Sequence, residues 1–161
     1  MELYSNFVGI DIGKFNFVVA NHSAKETKEY ENNSVGIKSF LKDYKSLLQS
    51  SLCVLETTGG YETKLLYTLC DKKIAVHRAN TRQVKSFIRS FGNKAKTDIL
   101  DAKALALYGY ERKDKLVKFV PVATKLSELY SLAQRRHDLK QIIVAEKNRY
   151  QAPGSEYVKK S

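Results

Sequence analysis

The alternation of apolar and polar residues along the chain predicts a layered α/β domain followed by one long helix. Short apolar runs at 7–12, 15–21, 52–56 and 74–78 predict strands, and the polar segment 27–33 predicts a strand nearer an edge. A tight turn joins the first two runs, so a hairpin opens the sheet and βαβ crossovers extend it. We therefore expect a mixed sheet flanked by helices.

Between and after these strands, apolar residues repeat every three or four positions, which is the helical period. Helices are predicted at 34–49, 61–73, 81–91, 96–110 and 124–150. Ser34 is the N-cap candidate of the first helix, and Gly92 takes the C-cap position of the third. The last helix is roughly 40 Å long at ~1.5 Å per residue.

Composition narrows the class of protein and the kind of partner. The chain has 161 residues, of which 43% are hydrophobic, enough for one globular domain with a real core. The formal net charge of +11 is uneven, because residues 1–80 hold 10 Lys and Arg against 9 Asp and Glu, whereas residues 81–161 hold 18 against 8. This excess indicates a polyanionic partner, either nucleic acid or an anionic membrane surface.

Targeting and redox features favour the cytoplasm. No apolar run approaches the length of a membrane span, and the N-terminal segment lacks the basic and small-residue features of a signal peptide. Cys53 and Cys70 lie in apolar segments and suit small core residues in a reducing compartment. We therefore expect a cytoplasmic protein with no membrane partner.

Two acidic residues occupy unusual places in the predicted strands. Asp11 lies within the first apolar run, where a buried carboxylate is costly unless something pairs with it. Glu56 ends a later strand just before a Gly-Gly turn. Each has an ordinary alternative, since Asp11 suits a tight turn and Glu56 suits a solvated strand end. Glu62 is a rival acid, but it fits the first turn of the next helix, where a negative charge favours the helix dipole.

A second acidic pair opens the helix predicted at 96–110. Asp98 and Asp101 are three residues apart and project from one face of that helix. They suit either of two roles: Asp98 as an N-cap with Asp101 at the third helical position, or both as ligands of a metal ion. The helix alone leaves both roles open.

If these four acids converge in the fold, they can form one site. Strands joined by βαβ crossovers can bring Asp11 and Glu56 side by side at the edge where α/β sheets bind ligands. With Asp98 and Asp101 they would repel one another strongly without cations, and carboxylates are the ligands preferred by hard divalent ions such as Mg²⁺ or Mn²⁺. Two such ions, roughly 3.5–4 Å apart, clamp the attacking and leaving oxygens of a phosphodiester.

A basic stripe accompanies the third predicted helix and the segment after it. Its members are Arg78, Arg82, Lys85, Arg89, Lys94 and Lys96, and no acidic residue occurs from position 78 to 97. Val84, Phe87, Ile88 and Phe91 form the opposite, apolar face. A solvated amphipathic face is the ordinary alternative, but positive charges without a compensating acid favour phosphate binding.

Ordered motifs link these residues to a known family. They are GIDIGK at 9–14, ETTGGYE at 56–62, KTDILDAKALALY at 96–108, and RR at 135–136 with NR at 148–149. Together they resemble the N-terminal, RuvC-like DEDD domain of the insertion-sequence transposases that include the pilin-gene invertase and the bridge-RNA-guided recombinases. The likeness covers nearly the whole chain, although DIGK stands where the family often has Ser before the Lys.

The resemblance implies an α/β, RNase H-like (RuvC-like) fold in which Asp11, Glu56, Asp98 and Asp101 hold two Mg²⁺ or Mn²⁺ ions. It implies a catalytic domain at 1–121, a long helical arm at 122–150 that pairs subunits into a homo-oligomer, and a loose tail at 151–161. In the family a second domain follows and supplies a nucleophilic serine. We therefore expect this chain to be an excised domain or a truncated gene product that is incomplete alone.

The leading interpretation is the Mg²⁺-dependent catalytic domain of a DNA transposase or site-specific recombinase, acting by strand cleavage and transfer at the bacterial nucleoid. Its implied partner is DNA, contacted through the basic stripe and through Arg135 and Arg136; a guide (bridge) RNA stays open. The alternatives are a free-standing RNase H-like or Holliday-junction nuclease, an actin-like ATPase fragment, and a non-enzymatic nucleic-acid-binding module. The ATPase alternative does not account for the Asp98–Asp101 pair.

Overall fold

A computed structural model describes residues 4–90, 92, 97–122, 124–154 and 156. The strands are β1 (Asn6–Ile12), β2 (Asn16–Asn21), β3 (Thr27–Glu31), β4 (Ser51–Glu56) and β5 (Ala75–Ala79). The helices are α1 (Ser34–Asp43), α2 (Lys45–Leu48), α3 (Thr63–Asp71), α4 (Thr81–Ser90), α5 (Asp98–Arg112) and α6 (Thr124–Gln151). Apart from the first predicted helix, each predicted element is present with ends that differ by one or two residues.

The strands form a single mixed sheet in the order β3-β2-β1-β4-β5. β1 pairs antiparallel with β2, and β2 with β3, which confirms the opening hairpin. β1 pairs parallel with β4, and β4 with β5, as the βαβ crossovers require. β1 is therefore the central strand, with the hairpin on one side of it and the parallel strands on the other.

Successive side chains of β1 point to opposite faces of the sheet and enter two separate cores. Val8, Ile10 and Ile12 belong to the larger core, which residues of α1, α2 and α3 complete. Phe7 points to the other face and packs in a smaller core with residues of α4 and α5. The sheet is thus covered on both faces, with α4 and α5 sharing one of them.

α5 lies directly against the backbone of β1 because β1 has no side chain at Gly9. A β-carbon built at Gly9 would lie 2.1 Å from the Ala102 carbonyl oxygen and 2.3 Å from the Ala106 nitrogen, both on α5. Gly109, one turn after Ala106 on α5, also lies close to the sheet, since a β-carbon there would be 2.8 Å from Cγ2 of Val54. These small residues set the height of α5 above the sheet.

The predicted helix at 34–49 is wrong in two details. Asn33, not Ser34, is the N-cap, because its side-chain oxygen accepts from the N–H groups of Val35 and Gly36 at 2.9 and 3.0 Å. The helix also breaks at Tyr44, whose φ of −104° and ψ of 14° are not helical. After this break, α2 turns Leu48 into the larger core, where it is 1% exposed.

Residue contacts divide the chain into two compact units, 1–121 and 122–161. The first holds the sheet and α1 to α5. The second consists largely of α6, whose described side chains are exposed along its whole length. Within the described residues, no helix is both long and apolar enough to cross a membrane.

Candidate active site

Asp11 and Glu56 lie side by side at the carboxyl ends of two parallel strands. The register of β1 and β4 pairs Ile10 with Leu55, so the next residues along, Asp11 and Glu56, are level with each other. Ile10 and Leu55 point into the larger core, so alternation turns both acids towards the face that α4 and α5 cover. Both carboxylates are partly buried there.

The first turn of α5 carries the other two acids, and its geometry shows which residue caps the helix. The N-cap of α5 is Thr97, whose Oγ1 accepts from the Leu100 N–H at 3.2 Å and whose carbonyl accepts from the Asp101 N–H at 2.9 Å. The alternative in which Asp98 is the N-cap is therefore wrong. Asp98 is the first residue of the helix, and neither acid is needed to cap it.

The four acids Asp11, Glu56, Asp98 and Asp101 all line one cavity of about 570 Å³. They come from β1, β4 and α5, so the cavity lies between the carboxyl edge of the parallel strands and the start of α5. We call it the acidic cavity. Among the residues that the structure describes, no three Asp, Glu, His or Cys side chains converge closely enough to hold one ion. The acids are spread over the wall of the cavity.

The donor chemistry of the acidic cavity fits a hard divalent ion. Its lining contains carboxylates, the amide of Asn16 and the hydroxyl of Thr58, and no Cys or His occurs among the described lining residues. Such oxygen donors suit Mg²⁺ or Mn²⁺. The cavity volume also leaves room for ions and for part of a substrate.

α4 forms part of the wall of the acidic cavity and brings cations to it. Lys85 and Arg89 line the cavity together with Val84 and Ile88. Arg82 is exposed on the same helix and is not part of the described lining. The predicted stripe is thus divided, with two of its members beside the carboxylates.

The remaining cations predicted to bind nucleic acid lie elsewhere. Lys94 and Lys96, and also Phe91, are outside the described residues. Arg135 and Arg136 are exposed on α6, in the second unit of the chain. Their roles stay predictions.

The sequence matches the transposase family of IS110-type DEDD enzymes over residues 8–153. This chain belongs to that transposase family. The match covers all of the sheet except the first two residues of β1, the four acids and the whole of α6. It confirms the family to which the ordered motifs pointed.

Known relatives of this transposase-family chain include the pilin gene-inverting proteins of Moraxella lacunata and Moraxella bovis. Each is 27% identical over 151 residues, which cover 91% of this chain and 46% of the relative. The chain therefore spans about half the length of these curated relatives.

A solved structure of T. thermophilus RuvC in complex with a Holliday junction substrate resembles the transposase-family chain in fold. The TM-score is 0.53 at 14% sequence identity, and the match covers 70% of this chain and 98% of that one. This similarity confirms the RNase H-like fold expected from the sequence.

Beside the acidic cavity, the structure contains an ion pair between a buried carboxylate and a partly exposed guanidinium, which the sequence did not reveal. The Glu62 side chain is 0% exposed, and its Oε1 accepts from Nε and Nη2 of Arg78 at 3.2 and 2.5 Å. Its Oε2 accepts from the Thr58 N–H, the Thr58 hydroxyl and the Gly60 N–H at 3.2, 3.1 and 3.0 Å. Glu62 thus fixes the turn that follows Glu56.

This pair changes the interpretation of both of its members. Glu62 is the N-cap residue of α3, yet its side chain makes no capping hydrogen bond. Burial raises the pKa of the Glu62 carboxyl, but hydrogen bonds from backbone N–H groups, Arg78 and Thr58 outweigh it, so the net pKa lies below its ordinary value. The guanidinium of Arg78 donates hydrogen bonds to Glu62. Its contact with nucleic acid stays a prediction.

Proposed function

We propose that this chain is the metal-binding catalytic domain of a DEDD transposase or site-specific recombinase that cleaves and transfers DNA strands. One observation carries the proposal: four carboxylates from three separate elements line a single cavity. A structural role does not require acids from distant parts of the chain to share one cavity, since their charges repel. A cation site does require it.

In this proposal Asp11, Glu56, Asp98 and Asp101 hold two Mg²⁺ or Mn²⁺ ions. When bound, such ions neutralise charge and polarise a phosphodiester for attack. The chain itself supplies the ligands and, from the part of the wall formed by α4, the cations Lys85 and Arg89. These two side chains would bind the phosphate and orient it towards the acids, since both line the same cavity.

The partner proposed here is DNA, at the bacterial nucleoid in the cytoplasm. Support comes from the family and from the net charge of +11. A guide RNA would use the same phosphate chemistry. Because the chain spans about half of its relatives, we propose that it binds nucleic acid alone but does not exchange strands.

The proposal is tested by calorimetric titration of Mn²⁺ into the unmodified chain, Asp11→Asn, and the control Asp71→Asn. Asp71 is an exposed acid at the end of α3, in the helical layer on the other face of the sheet. We expect the control to bind Mn²⁺ like the unmodified chain and Asp11→Asn to bind at least tenfold more weakly. Equal binding of Mn²⁺ by all three chains would contradict the proposed metal site.

A second assay separates the recombinase from a free-standing nuclease. The chain is incubated with Mg²⁺ and a supercoiled plasmid carrying two copies of a candidate site. Nicking by the chain alone that Asp11→Asn abolishes favours the nuclease, whereas exchange of the two sites by the chain alone would show that no further part is needed.

A further inference from the structure

α4 separates the acidic cavity from a second cavity on its other side. Val84, Lys85, Ile88 and Arg89 face the acidic cavity, whereas the second cavity of about 490 Å³ is lined from α4 by Gln83, Ser86, Phe87 and Ser90. The rest of its lining comes from β5, α5 and the segment after α5: His77, Tyr108, Arg112, Lys115, Leu116 and Val117. We call it the basic cavity.

The charge of the basic cavity is opposite to that of its neighbour. Arg112 and Lys115 line it, and its described lining includes no Asp or Glu. The Arg112 guanidinium lies 5.8 Å from the centre of the Phe87 ring, a cation–π contact that holds it at the cavity wall. The backbone N–H of Lys115 donates to the Arg112 carbonyl at 2.8 Å, which fixes the turn that carries both cations. A cavity of this charge favours an anion.

His77 is held in the wall of the basic cavity by one hydrogen bond. Its Nδ1 lies 2.8 Å from the Val117 carbonyl oxygen, which can only accept, so Nδ1 carries a proton. Its Nε2 is buried and has no hydrogen-bond partner within the described part of the chain. With its proton on Nδ1, His77 offers Nε2 only as an acceptor, so this nitrogen does not bind an anion. The preference of the basic cavity for an anion rests on Arg112 and Lys115.

We propose that the basic cavity binds a phosphodiester of the same nucleic-acid strand that Lys85 and Arg89 contact at the acidic cavity. The inference rests on the proposed function, from which it takes the nucleic-acid partner. An α-helix with its side chains is about 10–12 Å across, and successive phosphates of one duplex strand rise by about 3.4 Å. A strand that crosses α4 would therefore place about three nucleotides between the two cavities.

Arg112 and Lys115 are both exposed, so they can be changed without disturbing a core. The test variant is Arg112→Gln with Lys115→Gln. The matched control is Lys38→Gln with Lys45→Gln, which removes the same charge from α1 and α2 on the other face of the sheet. Thermal unfolding of each variant checks that it is folded.

Binding is measured by fluorescence anisotropy in metal-free buffer across a KCl titration. The probes are a labelled DNA duplex and an RNA duplex of the same sequence, which distinguish the two sources of phosphate. We expect the test variant to bind its preferred duplex at least tenfold more weakly than the control does. Its log–log salt slope should flatten by about 0.9 for each phosphate that the variant no longer binds.

A second variant tests the basic cavity without removing Arg112 or Lys115. Ser86→Asp places a negative charge in the basic cavity while Arg112 and Lys115 remain, and Ser46→Asp on α2 is its control. Weaker binding by Ser86→Asp alone supports the proposal. If both test variants match their controls on both duplexes, the basic cavity is not a phosphate site, although the proposed function stands. If the unmodified chain binds neither duplex, the proposed function fails as well.

Discussion

The guanidinium of Arg78 on β5 closes on the buried carboxylate of Glu62, with Nη2 2.5 Å from Oε1. Through its other oxygen, Glu62 holds the backbone and the hydroxyl of Thr58. Thr58 lines the acidic cavity two residues after Glu56. The pair therefore ties the turn beside the proposed metal ligands to the neighbouring strand.

Replacing Glu62 by Gln should destabilise the domain. Gln keeps the shape of the side chain but loses the charge that pairs with Arg78. Breaking a buried pair costs about 3–5 kcal/mol, and because the Arg78 side chain is 37% exposed, solvent screening reduces the expected loss to about 1–3 kcal/mol. Urea unfolding at neutral pH measures it. The exposed acid control Glu26→Gln should change the free energy of unfolding by less than about 0.5 kcal/mol, and an equally silent Glu62→Gln would contradict the role of the pair.

The stabilisation from Glu62 should depend on pH in a definite direction. Its folded-state pKa is lowered, so the stabilisation is fully present above the ordinary value of 4.5 and is lost as pH falls through the folded value. The difference in unfolding free energy between the unmodified chain and Glu62→Gln should therefore be constant near neutral pH and shrink below about pH 4.5. Urea unfolding repeated from pH 7 downwards follows it. A difference that grows on acidification would refute the assigned direction.

Capping and metal binding at the start of α5 can be separated by two substitutions. Thr97→Ala removes the observed N-cap and should cost about 1 kcal/mol with or without metal. Asp98→Asn should leave the metal-free stability unchanged or raised, because like charges are relieved. The unmodified chain should gain about 2.7 kcal/mol from Mn²⁺ at a hundred times its dissociation constant; Thr97→Ala should keep this gain and Asp98→Asn should lose most of it. Thermal unfolding across a Mn²⁺ titration provides the comparison, and an identical response from all three chains would mean that Asp98 is not a ligand.

The division of the basic stripe predicts an order of effects on nucleic-acid binding. Lys85 and Arg89 line the acidic cavity and Arg82 does not. In metal-free buffer, Lys85→Gln and Arg89→Gln should each weaken duplex DNA binding more than Arg82→Gln, and each should flatten the salt slope by about 0.9. Anisotropy across a KCl titration measures both quantities. If all three substitutions weaken DNA binding equally, α4 contributes only nonspecific positive charge.

The apolar residues of α6 predict self-association. Leu129, Leu132, Leu139 and Ile143 are 62, 68, 43 and 52% exposed, more apolar surface than one solvated helix normally carries. We expect a dimer or larger species by sedimentation velocity at high concentration, and its loss in Leu132→Glu with Leu139→Glu. The control pair Gln134→Glu and Gln141→Glu lies about 200° around the helix and should leave the association intact. A strict monomer at every concentration would rule out this role for α6.

Much of the fold could be predicted from the sequence because it rests on local periodicity. The strand spacing and crossovers led directly to neighbouring positions for Asp11 and Glu56, which the parallel register of β1 and β4 provides. The N-cap residues of the helices are harder to predict, for a physical reason. Asn33 precedes Ser34, and Thr97 precedes Asp98, so each start offers two adjacent residues able to cap, and only packing decides between them.

Other features depend on distances that no local pattern encodes. Glu62 and Arg78 are 16 residues apart and meet because α3 and β5 are adjacent in the folded domain. The sequence therefore presented Arg78 as one more cation of the stripe and Glu62 as a helix-start acid. The basic cavity was missed for the same reason, since His77, Ser86 and Arg112 come from three elements with no shared spacing.

The contact of α5 with Gly9 also bears on what happens while the chain is being made. Asp11 leaves the ribosome about 90 residues before Asp101, an interval of roughly 4 to 18 s at ~5–20 residues per second. Until α5 emerges and settles on the bare backbone at Gly9, the first acid is without the two acids of that helix. A nascent chain that stops short of α5 thus lacks the full set of acids, and under the proposed function the growing polypeptide cannot attack DNA before its domain is complete.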